Sequence, residues 1–174
     1  MLQATCVSRL TLMLRRDYPS QNCSVARTLE VIGERWSILI IRNAFYGIRR
    51  FDEHERWLGI ARNVLQTRLE LLVEQGILSK EPYQEHPPRY EYRLTQKGID
   101  LWPVLVTMLQ WGDRYEADDK TPLVLRHKDC GGGVDGHLRC DKCGADLTAR
   151  DVEPSKGPGL LPGQTTPRVP AASA

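Results

Sequence analysis

Four side chains towards the C-terminal end have the types and spacing of a metal site: His127 and Cys130, then Cys140 and Cys143. Two residues lie within each pair, and nine residues separate Cys130 from Cys140. Zinc takes four nitrogen and sulfur ligands in a tetrahedron, and two close pairs supply them from two tight turns. Gly131 and Gly144 follow the pairs, where the backbone must turn and aim N–H groups at thiolates. The pattern is that of a zinc ribbon with one cysteine replaced by histidine, and His137 is a rival fourth ligand. Four protein ligands leave no open position for water, so the expected zinc is structural. A segment as short as 122–152 buries too little apolar surface to fold alone, and metal binding would supply the missing free energy. Two other readings stay open: a metal-free remnant, and a redox dithiol at Cys140 and Cys143. Residues 131–136 also satisfy G-x-G-x-x-G, but without the preceding strand and following helix of a dinucleotide site. They read as the link between two knuckles.

The rest of the chain must explain what this module serves. A length of 174 residues, 41% hydrophobic and 26% charged, suits one modest folded domain with an appendage. No stretch approaches the roughly 18 apolar residues of a membrane span. Residues 1–14 are mildly apolar but carry Arg9, and no long apolar run follows Arg15 and Arg16. Neither a secretory nor a twin-arginine signal is expected, which places the chain in the cytoplasm. Structural disulfides are rare there, so the five cysteines need another use. Met13 is as natural a start as Met1. The net charge of +2 says little about partners, although residues 1–50 carry eight basic against three acidic side chains.

Helical periodicity begins after a loose arm at 1–22. A first helix follows Ser24, read as its N-cap, with Val25, Ala26, Leu29 and Ile32 on one side. After Gly33 a second runs from about Arg35 to Tyr46, closed by Gly47. Phe51 to Leu58 is a short helix ending at Gly59, with His54 on its surface between two glutamates. Ala61 to Gln75 is the clearest helix, stopped by Gly76. Its apolar stripe is Ala61, Leu65, Leu69 and Leu72. Ile77–Glu85 and Arg89–Thr95 form a hairpin around His86-Pro87-Pro88, with Tyr90, Tyr92 and Leu94 alternating against Glu91 and Arg93. A long helix from about Gln96 to Glu116 should kink at Pro103. Its apolar arc, from Ile99 to Trp111, is too wide for one small core. Asp118 to Pro122 is a linker, and 153–174, rich in Pro, Gly, Ser and Thr, is expected to be disordered.

Helix, turn, helix, hairpin is the order of a winged helix-turn-helix. The expected fold is therefore mainly α with a small β-hairpin wing, followed by the zinc-ribbon-like module. A helix reading the major groove needs an apolar stripe for anchorage and a polar face of long side chains. Arg62, Asn63, Gln66 and Thr67 crowd the first turns of the Ala61–Gln75 helix, where base edges are usually touched. Arg68 is assigned to a phosphate, and His86 and Arg89 at the hairpin tip suit backbone contact. An ordinary amphipathic helix with a solvated face is the plainer alternative for this helix taken alone.

From Cys23 to about Thr121 the chain resembles the HxlR-type winged helix-turn-helix regulators, relatives of the MarR-like proteins. The resemblance is carried by Cys23, Ile32-Gly33-Glu34-Arg35-Trp36, Arg50-Phe51-Asp52 and Gly59-Ile60-Ala61. It continues through Leu65-Gln66-Thr67-Arg68-Leu69, Gly76-Ile77-Leu78, Tyr90 to Thr95, Lys97-Gly98 and Trp111-Gly112. It implies a DNA-binding transcription regulator, not an enzyme, acting as a homodimer on a pseudo-palindromic operator. The subunits are then joined by the last helix and the N-terminal region, which accounts for the wide apolar arc. It also implies a response to electrophiles, oxidants or small metabolites, though no effector pocket is legible. Cys23 is the redox candidate, because a thiol at the positive end of a helix dipole ionises more readily. A small residue packed at the dimer interface is the alternative there. The zinc module lies outside the family pattern. The competing class of function is a small zinc or redox protein whose helical part only mediates assembly; binding to specific duplex separates the two.

Overall fold

The structure, a computed structural model, describes residues 23–116 and 121–160. The expected arm at 1–22, the Met13 start and the tail beyond 160 lie outside the described residues. Helices α1 (Ser24–Ile32), α2 (Arg35–Phe45), α3 (Phe51–Leu58) and α4 (Arg62–Glu74) come first. The wing follows, with β1 (Leu78–Gln84) antiparallel to β2 (Arg89–Leu94), Leu78 facing Leu94. Next are α5 (Gln96–Ile99) and α6 (Trp102–Tyr115), then β3 (Leu123–His127) and β4 (Val152–Lys156), antiparallel from Leu123–Lys156 to His127–Val152. Among the described residues no helix is long and apolar enough to cross a membrane.

The first core forms where the stripe of α4 meets α2. Leu65, Leu69 and Leu72 pack with Ile40 and Ile41, closed by Ile60, Ile77, Leu78 and Tyr92. Glu34 holds the start of α2: its carboxylate accepts from the N–H groups of Trp36 and Ser37 at 2.9 and 3.3 Å, at the positive end of the helix. Thr95 holds the other end of α4. Its hydroxyl donates to the Gly76 carbonyl at 2.6 Å and accepts from the N–H of Gly98 as the cap of α5. Gly98 is required there, because a Cβ would overlap the carbonyl oxygen of Ile77.

Several expectations are corrected. Cys23, not Ser24, is the N-cap of α1. The expected kinked helix is two helices, with Asp100 capping α5 and Leu101 preceding α6. Pro103 therefore falls in the first turn of α6, where its missing N–H costs nothing. The C-terminal module does not end at residue 152. β4 runs to Lys156, and the N–H groups of Gly157 and Gly159 bond back to Pro122 and Thr121, so 153–160 is ordered rather than tail. Part of the wide apolar arc is buried within the same chain. Trp102 and Val106 pack against Leu125, Cys140, Leu147 and Val152 of the module, forming a second core within the same chain. Gln110 ties the two parts further, donating to the carbonyls of Val134 and Asp135 at 3.1 and 2.9 Å.

His54 is the sharpest reversal. It is fully buried, with neither ring nitrogen hydrogen-bonded, whereas its charged neighbours Glu53 and Glu55 stay on more exposed faces of α3. Burial pushes its pKa down to about 4. The folded chain keeps this ring neutral, while the unfolded chain takes up a proton near pH 6.5. Stability from His54 is thus complete above pH 6.5 and lost as pH falls towards 4, by about 3 kcal/mol. Chemical denaturation across that range should show the loss in wild type and a flatter profile in His54→Leu. Parallel profiles would assign the acid sensitivity to other groups.

Candidate nucleic-acid interface and metal centre

With one face of α4 locked in the core, the sequence order places Arg62, Asn63, Gln66 and Thr67 on the exposed opposite side. The side chains of Arg62, Gln66 and Thr67 are held by local contacts. Arg62 pairs with Glu55 at 3.0 Å and its guanidinium lies 4.6 Å over the ring of Phe51. Gln66 donates to Glu70 at 3.0 Å, and the Thr67 hydroxyl donates to the carbonyl of Asn63 at 3.0 Å. An exposed pair such as Arg62–Glu55 is worth at most about 1 kcal/mol, so a nucleic acid displaces it at small cost.

Arg68 is placed differently from its phosphate assignment. Its side chain is only 17% exposed and faces Glu34 at 3.3 Å. It braces α4 against the N-terminus of α2, because the 68 position falls between the stripe and the outer face.

The wing supplies the second wall. At its tip Gln84 donates to the carbonyls of His86 and Pro87 at 3.2 and 3.1 Å, across a cis His86–Pro87 bond. Arg89 and His86 are exposed beside it. A groove between the wing and the start of α4 is lined by Arg50, Arg62, Tyr83, Arg89 and Tyr90. Sequence reasoning missed Arg50, whose guanidinium stacks 4.5 Å over Tyr83, and Lys80, whose ammonium sits 4.3 Å over Tyr90. The adjacent Arg49-Arg50 pair ahead of α3 was the available signal. Its position in the groove depends on residues 49–50 pairing with the edge of β2: the N–H of Tyr92 donates to the Arg49 carbonyl at 2.7 Å.

In the module, His127, Cys130, Cys140 and Cys143 offer four ligand atoms within 4.8 Å of one another. The Nδ1 atom of His127 is 3.3 Å from the Cys130 sulfur and 3.4 Å from that of Cys143, and the Cys130 and Cys140 sulfurs are 3.3 Å apart. Zinc bond lengths of about 2.3 Å to sulfur and 2.0–2.1 Å to nitrogen require tetrahedral edges of about 3.5–3.8 Å. These three edges need a few tenths of an ångström of expansion, and any pair near the 4.8 Å outer bound must close on the ion. The Nε2 atom of His127 lies 3.5 Å from an Asp129 carboxylate oxygen. His137 is exposed and outside the cluster.

The thiols are prepared for a cation. Burial opposes ionisation of Cys140, but the N–H groups of Cys143 and Lys142, with the Cys130 and Cys143 thiols, outweigh it and hold the pKa at about 6. Cys130 goes the other way. The N–H of Gly132 favours its thiolate, yet the neighbouring sulfurs and burial raise it. One sulfur of the cluster thus ionises ahead of the next, as crowded thiols do without a metal. Gly132 is needed here, since a Cβ would overlap the Cys140 sulfur. At the other end of the chain Cys23 is exposed at the start of α1.

Known proteins match this architecture. The model of the HxlR-like helix-turn-helix family matches residues 31–120. Rv3095 of Mycobacterium tuberculosis, an uncharacterised HTH-type transcriptional regulator, is 49% identical over 138 residues, covering 79% of this chain and 87% of the relative. A match of that length cannot fit before residue 120, so it extends into the C-terminal module. The crystal structure of PA1607, described as a candidate transcription factor, superposes with a TM-score of 0.62 at 44% identity, over 75% of this chain and 92% of that one. The structure of ytcD, a candidate HTH-type transcriptional regulator, gives a TM-score of 0.51 at 31% identity, over 53% of this chain and 96% of that one. These relatives are described as regulators of transcription, not as enzymes or assembly modules. The chain belongs to the HxlR-like helix-turn-helix family of DNA-binding transcription regulators.

Proposed function

We propose that the protein acts as a homodimer on a pseudo-palindromic operator, with α4 in the major groove and the wing on the adjacent backbone. The carrying observation is the groove in which Arg50, Arg62 and Arg89 converge beside the polar face of α4. Arg62, Asn63, Gln66 and Thr67 read base edges; Arg50 and Arg89 neutralise phosphates; Arg68 positions α4 through Glu34. Zinc, held by His127, Cys130, Cys140 and Cys143, is structural.

Selection of duplexes from a random library should recover half-sites about one helical turn apart. On the selected site, Arg62→Ala or Gln66→Ala should lower discrimination by about 1–3 kcal/mol. Arg89→Ala should weaken all duplexes alike and reduce the salt slope by about one. Absence of any sequence preference at low salt would sink the reading.

Cys23 adds a redox input. It is exposed two residues from Val25, on a helix whose Val25 and Leu29 are uncovered, so oxidation there alters a face suited to subunit pairing. The same binding assay after mild diamide treatment should show changed affinity in wild type and none in Cys23→Ser. Equal responses would leave Cys23 with a packing role.

A further inference from the structure

A cavity of about 180 Å³ lies between α2 and α6. Ile38, Leu39, Phe45, Leu105 and Leu109 line it, and Leu125 of β3 closes one side. Three polar side chains share this apolar lining. Arg42 is largely buried, and its desolvation lowers its pKa from the ordinary arginine value. Among the described residues its one hydrogen-bonded partner is the neutral Asn43, whose Oδ1 accepts from an Nη at 2.9 Å; the guanidinium lies 5.9 Å over the Tyr46 ring, and its enclosed Nε has no acceptor. Among the described residues no carboxylate lies within ion-pair distance of it. Trp102 is 7% exposed, and its indole N–H also lacks an acceptor. Tyr46 is the third; burial raises its pKa and keeps the phenol a donor. Asp113, the acid that acts on Tyr46, lines the neighbouring cleft instead.

A buried cation with unfilled donors in an apolar cavity calls for an anion with an apolar body, because either feature alone would be costly. The guanidinium fork matches a carboxylate in two parallel hydrogen bonds. An engineered cavity of about 150 Å³ takes benzene, so the present volume suits one ring and a short acidic arm. We infer that this cavity binds a small monocarboxylate carrying a single aromatic ring, with the carboxylate on Arg42 and the ring among the aliphatic side chains of α2 and α6.

The location gives binding a consequence that rests on the regulator reading. Helix α2 braces α4 through Glu34 and Arg68, and α6 carries an uncovered apolar face. A ligand lodged between them alters the angle between the DNA-reading helix and that face. Binding itself is independent of DNA and is tested without it.

Full-length protein should be titrated with phenylacetate and with phenylacetamide, its neutral analogue, by calorimetry and thermal shift. Phenylacetate should bind saturably and raise the melting temperature, with the amide at least tenfold weaker. Arg42→Gln should lose at least tenfold in phenylacetate affinity and erase the difference between acid and amide. Leu105→Phe, which fills the cavity, should weaken both ligands; circular dichroism identifies a variant that has failed to fold. No saturable phenylacetate binding in the millimolar range, equal binding of acid and amide by wild type, or unchanged affinity in folded Arg42→Gln would each overturn the inference. Because DNA takes no part, loss of the operator reading would leave a positive result standing.

Discussion

Protein purified without chelator should carry one zinc per chain, and Cys140→Ser should lose it together with the fold of the C-terminal module. Two short strands, β3 and β4, are the module's only regular structure, and a lone two-stranded hairpin is marginal in water. Its buried aliphatic residues, Leu125, Leu147 and Val152, even with half-buried Leu123, Val134 and Leu138 around them, are too few to hold it alone. Structural zinc in small domains contributes an apparent 10–16 kcal/mol or so, far more than any single contact here. The effect should not stop at the module. Cys140 is both a ligand and a member of the second core, in one cluster with Trp102 and Val106 of α6. Chelation should therefore lower the melting temperature of the whole chain, and a chain ending at Lys120 should expose Trp102 and lose solubility or stability. Elemental analysis and melting curves with and without chelator check this. A metal-free protein in which 121–160 resists protease, with Cys140→Ser as stable as wild type, would refute it.

Trp111→Glu should convert a dimer into a folded monomer and lower operator affinity by roughly 100-fold or more. Val104, Met108, Trp111 and Tyr115 are exposed at near-helical spacing along α6, with Trp111 and Tyr115 about 60% exposed, and their rings 5.4 Å apart. Helix α1 exposes Val25 and Leu29 one turn apart. Isolated soluble domains seldom leave such aromatic and aliphatic faces uncovered; pairing with a second copy would cover them. A carboxylate in the middle of that contact would be buried unpaired, which association cannot tolerate. Losing the second subunit removes the effective concentration that makes the second half-site bind, an effect of 10²–10⁴ or so. Light scattering gives the mass and gel shift the affinity. A Trp111→Glu protein that stays dimeric with wild-type affinity would assign the face to another partner.

What was legible in the sequence was local. The stripe Leu65, Leu69 and Leu72, the turns at Gly59 and Gly76, the tyrosine alternation of β2 and the spacing of His127, Cys130, Cys140 and Cys143 all act within one or two turns of chain. The helices, the wing and the ligand pairs could therefore be placed before any packing was known. The order of these elements picked out α4 as the candidate reading helix, and its outward side chains follow from helical geometry alone. The tertiary structure decided what depends on partners distant in sequence. His54 lies between two glutamates yet is fully buried within the packed helices, and Arg68 turns from solvent to Glu34, 34 positions earlier. Periodicity also could not say that Trp102 and Val106 pack against the C-terminal module while Trp111 and Tyr115 stay exposed. That division is made when β3 and β4, 24 residues apart in the chain, pair and lay the ribbon against α6. The cavity around Arg42 exists only after that step, because Leu125 is one of its walls.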